Sequence, residues 1–134
     1  MNKYPSVLIA DDDGPVRNAL IRFVKSTLPS AHITAFDNGK DALDFFRLRG
    51  ADLVISNFNM PKMDGPEFVQ GVRQNDRKIP VIMVSGNPGA EAEGLAAGID
   101  RFIDKCEIVE LLPDAIRSLI GAEKIPCLNR YLSG

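Results

Sequence analysis

The sequence predicts an α/β domain, a parallel β-sheet covered by helices on both faces. Three observations carry this expectation. Strand-like and helix-like segments alternate five times along the 134 residues. The connections between them are short, with no internal repeat. The fourth strand-like segment, "IPVIMVS", is almost wholly apolar, as befits a strand buried on both sides. By length the chain is one domain, large enough for a real core.

The first strand is "SVLIA" (6–10), an apolar run ending abruptly in Asp11, Asp12 and Asp13. "GPVRNALIRFVKSTL" then places Val16, Leu20, Phe23, Val24 and Leu28 on one helical face. Pro15 suits its first turn, and Asp13 is positioned to cap it. "HITAF" is the second strand. "DNGKDALDFFRLRG" follows as a helix carrying Ala42, Leu43, Phe46 and Leu48, stopped by Gly50. "ADLVISN" is the third strand, and "PEFVQGVRQ" a helix with Phe68, Val69 and Val72 inward. After the fourth strand come a short Ala-rich helix, "AEAEGLAAG", the fifth strand, "IDRFIDK", and the last helix, "EIVELLPDAIRSLIGA". Pro113 is awkward in that helix: either it begins later than the pattern suggests or it kinks. Residues 122–134 are expected to form a tail, with Ile125, Leu128, Tyr131 and Leu132 its few apolar side chains.

Composition narrows the functional classes. Hydrophobic residues make up 45% and charged ones 25%, the balance of an ordinary soluble protein. The net charge of −2, with no basic stripe, provides no electrostatic footprint for nucleic acid. Apolar runs are too short to span a bilayer, and "MNKYPS" lacks the core of a signal peptide, so the expected location is cytoplasmic. Cys106 and Cys127 have no metal-like spacing, and a single histidine, His32, excludes a multi-histidine cage.

In parallel α/β sheets ligands sit at the carboxyl ends of the strands. Those ends carry Asp11-Asp12-Asp13, Asn57, Ser85-Gly86 and Lys105. Clustered carboxylates favour a hard cation such as Mg²⁺. A lysine and a hydroxyl suit phosphoryl oxygens. A carboxylate at position 57 would complete a phosphoryl-transfer centre, since aspartate accepts phosphate as an acyl phosphate. Asn57 is an amide, neither a good nucleophile nor a strong metal ligand.

Taken together, "VLIADDD", "DLVISNFNMPKMDG", "PVIMVSG" and "GIDRFIDK" resemble, in order, the motifs of the receiver domain of two-component response regulators. The resemblance covers residues 6–121, leaving 122–134 as the tail. It implies a flavodoxin-like (βα)5 three-layer sandwich with a five-stranded parallel sheet in the order 2-1-3-4-5. Asp11 and Asp12 match the family's metal-binding acidic pair, and Asn59 the position whose carbonyl serves Mg²⁺. Ser85 matches the hydroxyl that binds the phosphoryl group and reports its arrival, Phe102 the aromatic switch, and Lys105 the phosphoryl-binding lysine. Asn57 stands at the phosphoacceptor position, where the family has aspartate.

The resemblance therefore implies a phosphorelay module that is not an enzyme, its self-phosphorylation blocked at Asn57 and its Mg²⁺ affinity weakened. Lys105 and Ser85 are candidate donors to the Asn57 side-chain oxygen. The implied partners are a sensor histidine kinase or phosphotransfer protein and a downstream protein reached through the fourth helix, fifth strand and last helix. Dimerisation through the last helix is a further expectation. Asn57 is open to three accounts: a natural degenerate receiver, an engineered block, or an acceptor elsewhere in the chain. Three further departures stand out, one being the compact segment between Ser85 and Lys105, where "GNPGAEAEG" leaves the fourth helix little length. Cys106 follows Lys105 where the family usually has proline, and a trans bond is expected there because a non-proline cis bond costs about 2.5–4 kcal/mol. Phe102 lacks the hydroxyl of the commoner tyrosine.

Plainer readings exist for each residue: aspartates as helix caps, Ser85 as a strand-end serine, Lys105 as a solvated charge, Phe102 as core, Asp64-Gly65 as turn chemistry, and His32 as structural. Two rival functions remain open at this point. One is a small Mg²⁺-dependent phosphatase or phosphotransferase with Asp11 as nucleophile. The other is a flavin- or nucleotide-binding flavodoxin-like module, whose only phosphate-loop candidate is "SGNPG".

Overall fold

The computed structural model describes residues 4–121. The expected residue-122–134 tail, with Cys127 and its apolar side chains, lies outside the described residues. Five strands form one parallel sheet: β1 (Ser6–Ala10), β2 (His32–Phe36), β3 (Leu53–Asn57), β4 (Val81–Ser85) and β5 (Arg101–Asp104). Their order is β2-β1-β3-β4-β5, as the resemblance implied. The helices α1 (Gly14–Thr27), α2 (Gly39–Arg49), α3 (Gly65–Asn75), α4 (Glu91–Ala97) and α5 (Ile108–Ile120) alternate with them.

Strand side chains alternate between faces, and here both faces of the central strands β1, β3 and β4 are covered. Val7, Ile9, Ile55, Ile82, Val84 and Ile103 meet Leu20 and Val24 of α1 and Leu112 and Ile116 of α5. Leu8, Ala10, Val54 and Met83 meet Phe46 of α2, Phe68, Val69 and Val72 of α3, and Ala97 of α4. Burial on both sides is why β3 and β4 read as continuous apolar runs rather than alternating ones.

Helix boundaries follow local chemistry. Asp13 accepts from the Val16 N–H and caps α1 as expected, with Pro15 in the first turn. Asn38 and Asp64 cap α2 and α3 in the same way, through the Asp41 and Glu67 N–H groups, so Asp64 does more than turn the chain. Gly50 ends α2 at φ 65°, a left-handed conformation that suits glycine. Leu48, on the opposite side of α2 from Leu43 and Phe46, is 83% exposed. It is a surface leucine and no part of the core.

Pro113 resolves against a late start, because α5 begins at Ile108 and runs through the proline. The missing N–H leaves the Val109 carbonyl without its helical partner. Val109 is exposed, so water can serve that carbonyl. The Lys105–Cys106 bond is trans, as expected. No described helix is long and apolar enough to cross a membrane.

One contact ties this architecture to the rim where chemistry was expected. The first residue of α3, Gly65, lies so close to the end of β3 that a Cβ there would stand 2.3 Å from the Asn57 carbonyl oxygen and 2.9 Å from the Phe58 backbone. The Gly65 N–H donates to the Phe58 carbonyl at 2.7 Å. Gly65→Ala must push helix and strand end apart. Its expected cost is about 1–3 kcal/mol in urea unfolding, the usual range for overpacking. A change of only a few tenths would mean that the approach is not a constraint.

Candidate functional site

Register brings the chemistry together. Ala10 pairs with Ser56, Asn57 with Val84, and Ser85 with Asp104, so the residues just beyond β1, β3, β4 and β5 share one rim of the sheet. Asp11 leaves β1 while still held by the sheet, its N–H donating to the Phe36 carbonyl at 3.0 Å. Its side chain is fully buried. Oδ1 accepts from the Asp13 N–H at 2.9 Å. Oδ2 has no hydrogen-bond donor and faces the Lys105 ammonium at 3.6 Å. Burial pushes the Asp11 carboxyl above its ordinary value, the Asp13 N–H and then Lys105 pull it back, and the neighbouring charges of Asp12 and Asp13 raise it further.

Asn57 is buried at the end of β3, and its carboxamide nitrogen is the hub of the rim. Nδ2 donates to Asp12 Oδ1 at 3.1 Å and to the Asn59 carbonyl at 2.7 Å. Two acceptors around one atom require the NH2 end there, which fixes the orientation of the amide. The backbone of Asn57 is held as well, its carbonyl accepting from Ser56 Oγ at 2.8 Å.

The expected bonds from Lys105 and Ser85 to the Asn57 side-chain oxygen do not form. Lys105 turns instead to Asp11, because an ionised carboxylate outcompetes a neutral amide for an ammonium. The buried Ser85 hydroxyl accepts from the Asn87 N–H at 3.0 Å, within the loop that follows β4. Phe102 lies on the other face of β5 from Ile103, half-buried against the α2–α4 side of the core. The rim therefore pairs Asp11 with Lys105 and ties Asn57 to Asp12 and the Asn59 carbonyl. Ser85 stands alongside and Phe102 lies apart.

Three features of the rim had no clear signal in the sequence. Arg17 reaches back from α1 to the Asp11 carbonyl at 2.8 Å. Ser56 anchors the Asn57 backbone. Lys62, in the loop after β3, takes a positive φ of 67°, uncommon for a residue with a Cβ. The Cys106 thiol donates to Asp104 Oδ1 at 2.8 Å, and that bond raises the thiol pKa while lowering that of Asp104. His32 packs edge-on against Tyr4, 6.2 Å between ring centres, in keeping with a structural role.

The Mg²⁺ that the resemblance implies would draw on Asp11, Asp12 and the Asn59 carbonyl. The donor set does not fit it as it stands. Asp12 Oδ1 and the Asn59 oxygen already receive the amide protons of Asn57, and Asp11 faces Lys105. Among the described residues no group of three or more His, Cys, Asp or Glu side chains is arranged to hold a metal.

The comparisons follow the same lines. A family model for the response regulator receiver domain matches residues 7–117. The cell cycle response regulator CtrA of Brucella ovis is 29% identical over 101 residues, covering 74% of this chain and 43% of that protein. The chain thus spans less than half the length of the Brucella relatives it matches. A DNA-binding response regulator of the LuxR family from Staphylococcus aureus superposes with a TM-score of 0.78 at 28% identity, over 87% of this chain and 99% of that one. The signal receiver domain of a signal transduction histidine kinase from Syntrophus aciditrophicus does so at 0.74 and 29% identity, over 87% and 89%.

The buried carboxylate yields a prediction with a definite sign. A folded-state pKa above the ordinary 3.8 means the folded chain binds this proton more tightly than the unfolded one. Stability from Asp11 is then fullest below 3.8 and falls as pH rises through the raised value. Asp11→Asn should therefore melt higher than the parent at neutral pH, with the gap narrowing on acidification. A lower melting temperature at neutral pH would show that the Lys105 pair outweighs desolvation.

Proposed function

The chain belongs to the response regulator receiver domain family, and from that premise we propose that it is a degenerate receiver, one that signals through protein contacts without being phosphorylated. Receiver domains of two-component response regulators interact with histidine kinases or phosphotransfer proteins and typically bind Mg²⁺. In this chain Asn57 stands at the acceptor position. The observation that carries the proposal is its carboxamide, at the end of β3, with its nitrogen committed to Asp12 and the Asn59 carbonyl. An amide has no anionic oxygen to attack a phosphohistidine, and a phosphoryl group that never binds provides no differential free energy between two conformations.

In this reading the receiver unit comprises residues 1–121, with 122–134 as a tail, and it works in the cytoplasm. Ser85 and Phe102 keep the positions of the switch pair, and Lys105 that of the phosphoryl-binding lysine, here serving Asp11. The output face is that of α4, β5 and α5. Leu95 of α4 and Leu111 of α5 are exposed, and Leu111 borders a groove of about 320 Å³ lined also by Arg101, Phe102, Ile103, Asp114 and Ser118. Exposed apolar side chains next to a groove suit a protein partner or a second copy of the chain.

The rival functions draw less support. A phosphatase using Asp11 would need a nucleophile that is fully buried and turned toward Lys105. The "SGNPG" loop of the flavin or nucleotide reading curls into a single 3-10 turn capped by Asn87, with no phosphate cradle.

Intact mass after incubation with Mg²⁺ and a small phosphodonor tests the proposal. The chain should gain no phosphoryl group, while Asn57→Asp should gain one. Phosphorylation of the unmodified chain would overturn the reading and move the acceptor to Asp11, Asp12 or Ser56.

A further inference from the structure

Three oxygens on the rim call for donors: Asp11 Oδ2, Asp12 Oδ1 and the Asn59 carbonyl. The chain supplies them from within. Lys105 faces the first at 3.6 Å, and the two protons of the Asn57 amide serve the other two at 3.1 and 2.7 Å. The amide nitrogen thus links the loop after β1 to the loop after β3 across 45 residues of sequence. Asn57 itself is buried, whereas Asp12 and Asn59 are exposed, so the two bonds are shielded from water on the amide side only.

We propose that the Asn57 carboxamide is an internal substitute for the divalent cation, a positioning residue that holds Asp12 and the Asn59 carbonyl together and closes the site to Mg²⁺. The inference deepens the reading above and rests on its match of Asp12 and Asn59 to the family's metal ligands. It goes further than a lost ligand. A mere loss would leave a weakened site with its other oxygens still available. A substitute engages Asp12 Oδ1 and the Asn59 carbonyl, so a cation binding between those two oxygens competes with two hydrogen bonds. Charge points the same way. The amide offers protons without a net charge, which suits a rim where one buried carboxylate already has Lys105.

The two accounts separate in a Mg²⁺ titration followed by backbone amide chemical shifts and by thermal melting, on the unmodified chain, Asn57→Ala and Asn57→Asp. With the amide as substitute, millimolar Mg²⁺ leaves the resonances of Asp11, Asp12, Asn57 and Asn59 in place and the melting temperature of the unmodified chain unchanged. Asn57→Ala melts lower than the parent in a chelator, and Mg²⁺ shifts its rim resonances saturably and restores part of the lost stability. Asn57→Asp binds Mg²⁺ at least an order of magnitude more tightly than the unmodified chain.

Two results would overturn the proposal: a saturable Mg²⁺ shift at the rim of the unmodified chain, or an Asn57→Ala variant as indifferent to Mg²⁺ as its parent. The unmodified chain alone decides the first, so the test survives a variant that fails to fold. The readouts are also independent of phosphorylation. A chain that binds Mg²⁺ yet takes no phosphoryl group sinks the substitution and keeps the degenerate receiver, whereas a phosphorylated chain sinks both.

Discussion

A parallel sheet buried on both faces sends every strand in the same direction, and the rest of this molecule follows from that constraint. Each strand must be followed by a crossover helix, so the loops that leave the five strand ends collect on one rim. The strands provide the dry floor of that rim, and the residues just past their ends inherit its partial burial. Asp11 and Asn57 are polar side chains served by donors and acceptors gathered at this rim. Gly65 lacks a side chain because the crossover after β3 turns into α3 against the strand it has just left.

Burial at the rim makes charge compensation compulsory. The Asp11 carboxylate is out of water, so it draws the Asp13 N–H to one oxygen and the Lys105 ammonium to the other. That pairing takes Lys105 away from Asn57. The carboxamide is then free to turn its nitrogen toward Asp12 and the Asn59 carbonyl, the two remaining acceptors within reach. The same logic acts on a smaller scale at Cys106, whose thiol becomes a donor to Asp104 and is thereby less acidic. Each polar group on this edge is placed by the acceptor or donor that its neighbour leaves unused.

The functional reading rests on that economy of partners. A receiver with aspartate at the acceptor position must accommodate several carboxylates close together, and a cation is the natural means of holding them. On the proposed reading, an amide at this position replaces an acceptor with a neutral donor, which removes the nucleophile and leaves Asp12 and the Asn59 carbonyl partnered.

Most of the architecture was legible in the sequence, because burial on both faces writes itself as apolar runs and helix caps require short polar side chains. "VIMVS", the Asp13 cap, Gly50 as a helix stop and the inward Phe68, Val69 and Val72 needed no tertiary information. Leu48 and Pro113 were less legible. A leucine is apolar on either side of a helix, and a proline's tolerance depends on whether water can reach the carbonyl it orphans. The site residues themselves were visible as strand-end polar groups whose order along the chain resembles the receiver motifs. Their pairing was not. Which acceptor Lys105 chooses, and which end of the Asn57 amide faces the rim, depend on distances between groups as far apart in sequence as Asp11 and Lys105. Sequence by itself determined the elements, their order and the chemical groups at each strand end, since these follow from local periodicity. Tertiary structure decided which of those groups satisfy one another, because hydrogen bonds and ion pairs form between neighbours in space, and parallel crossovers make neighbours of residues the chain keeps far apart.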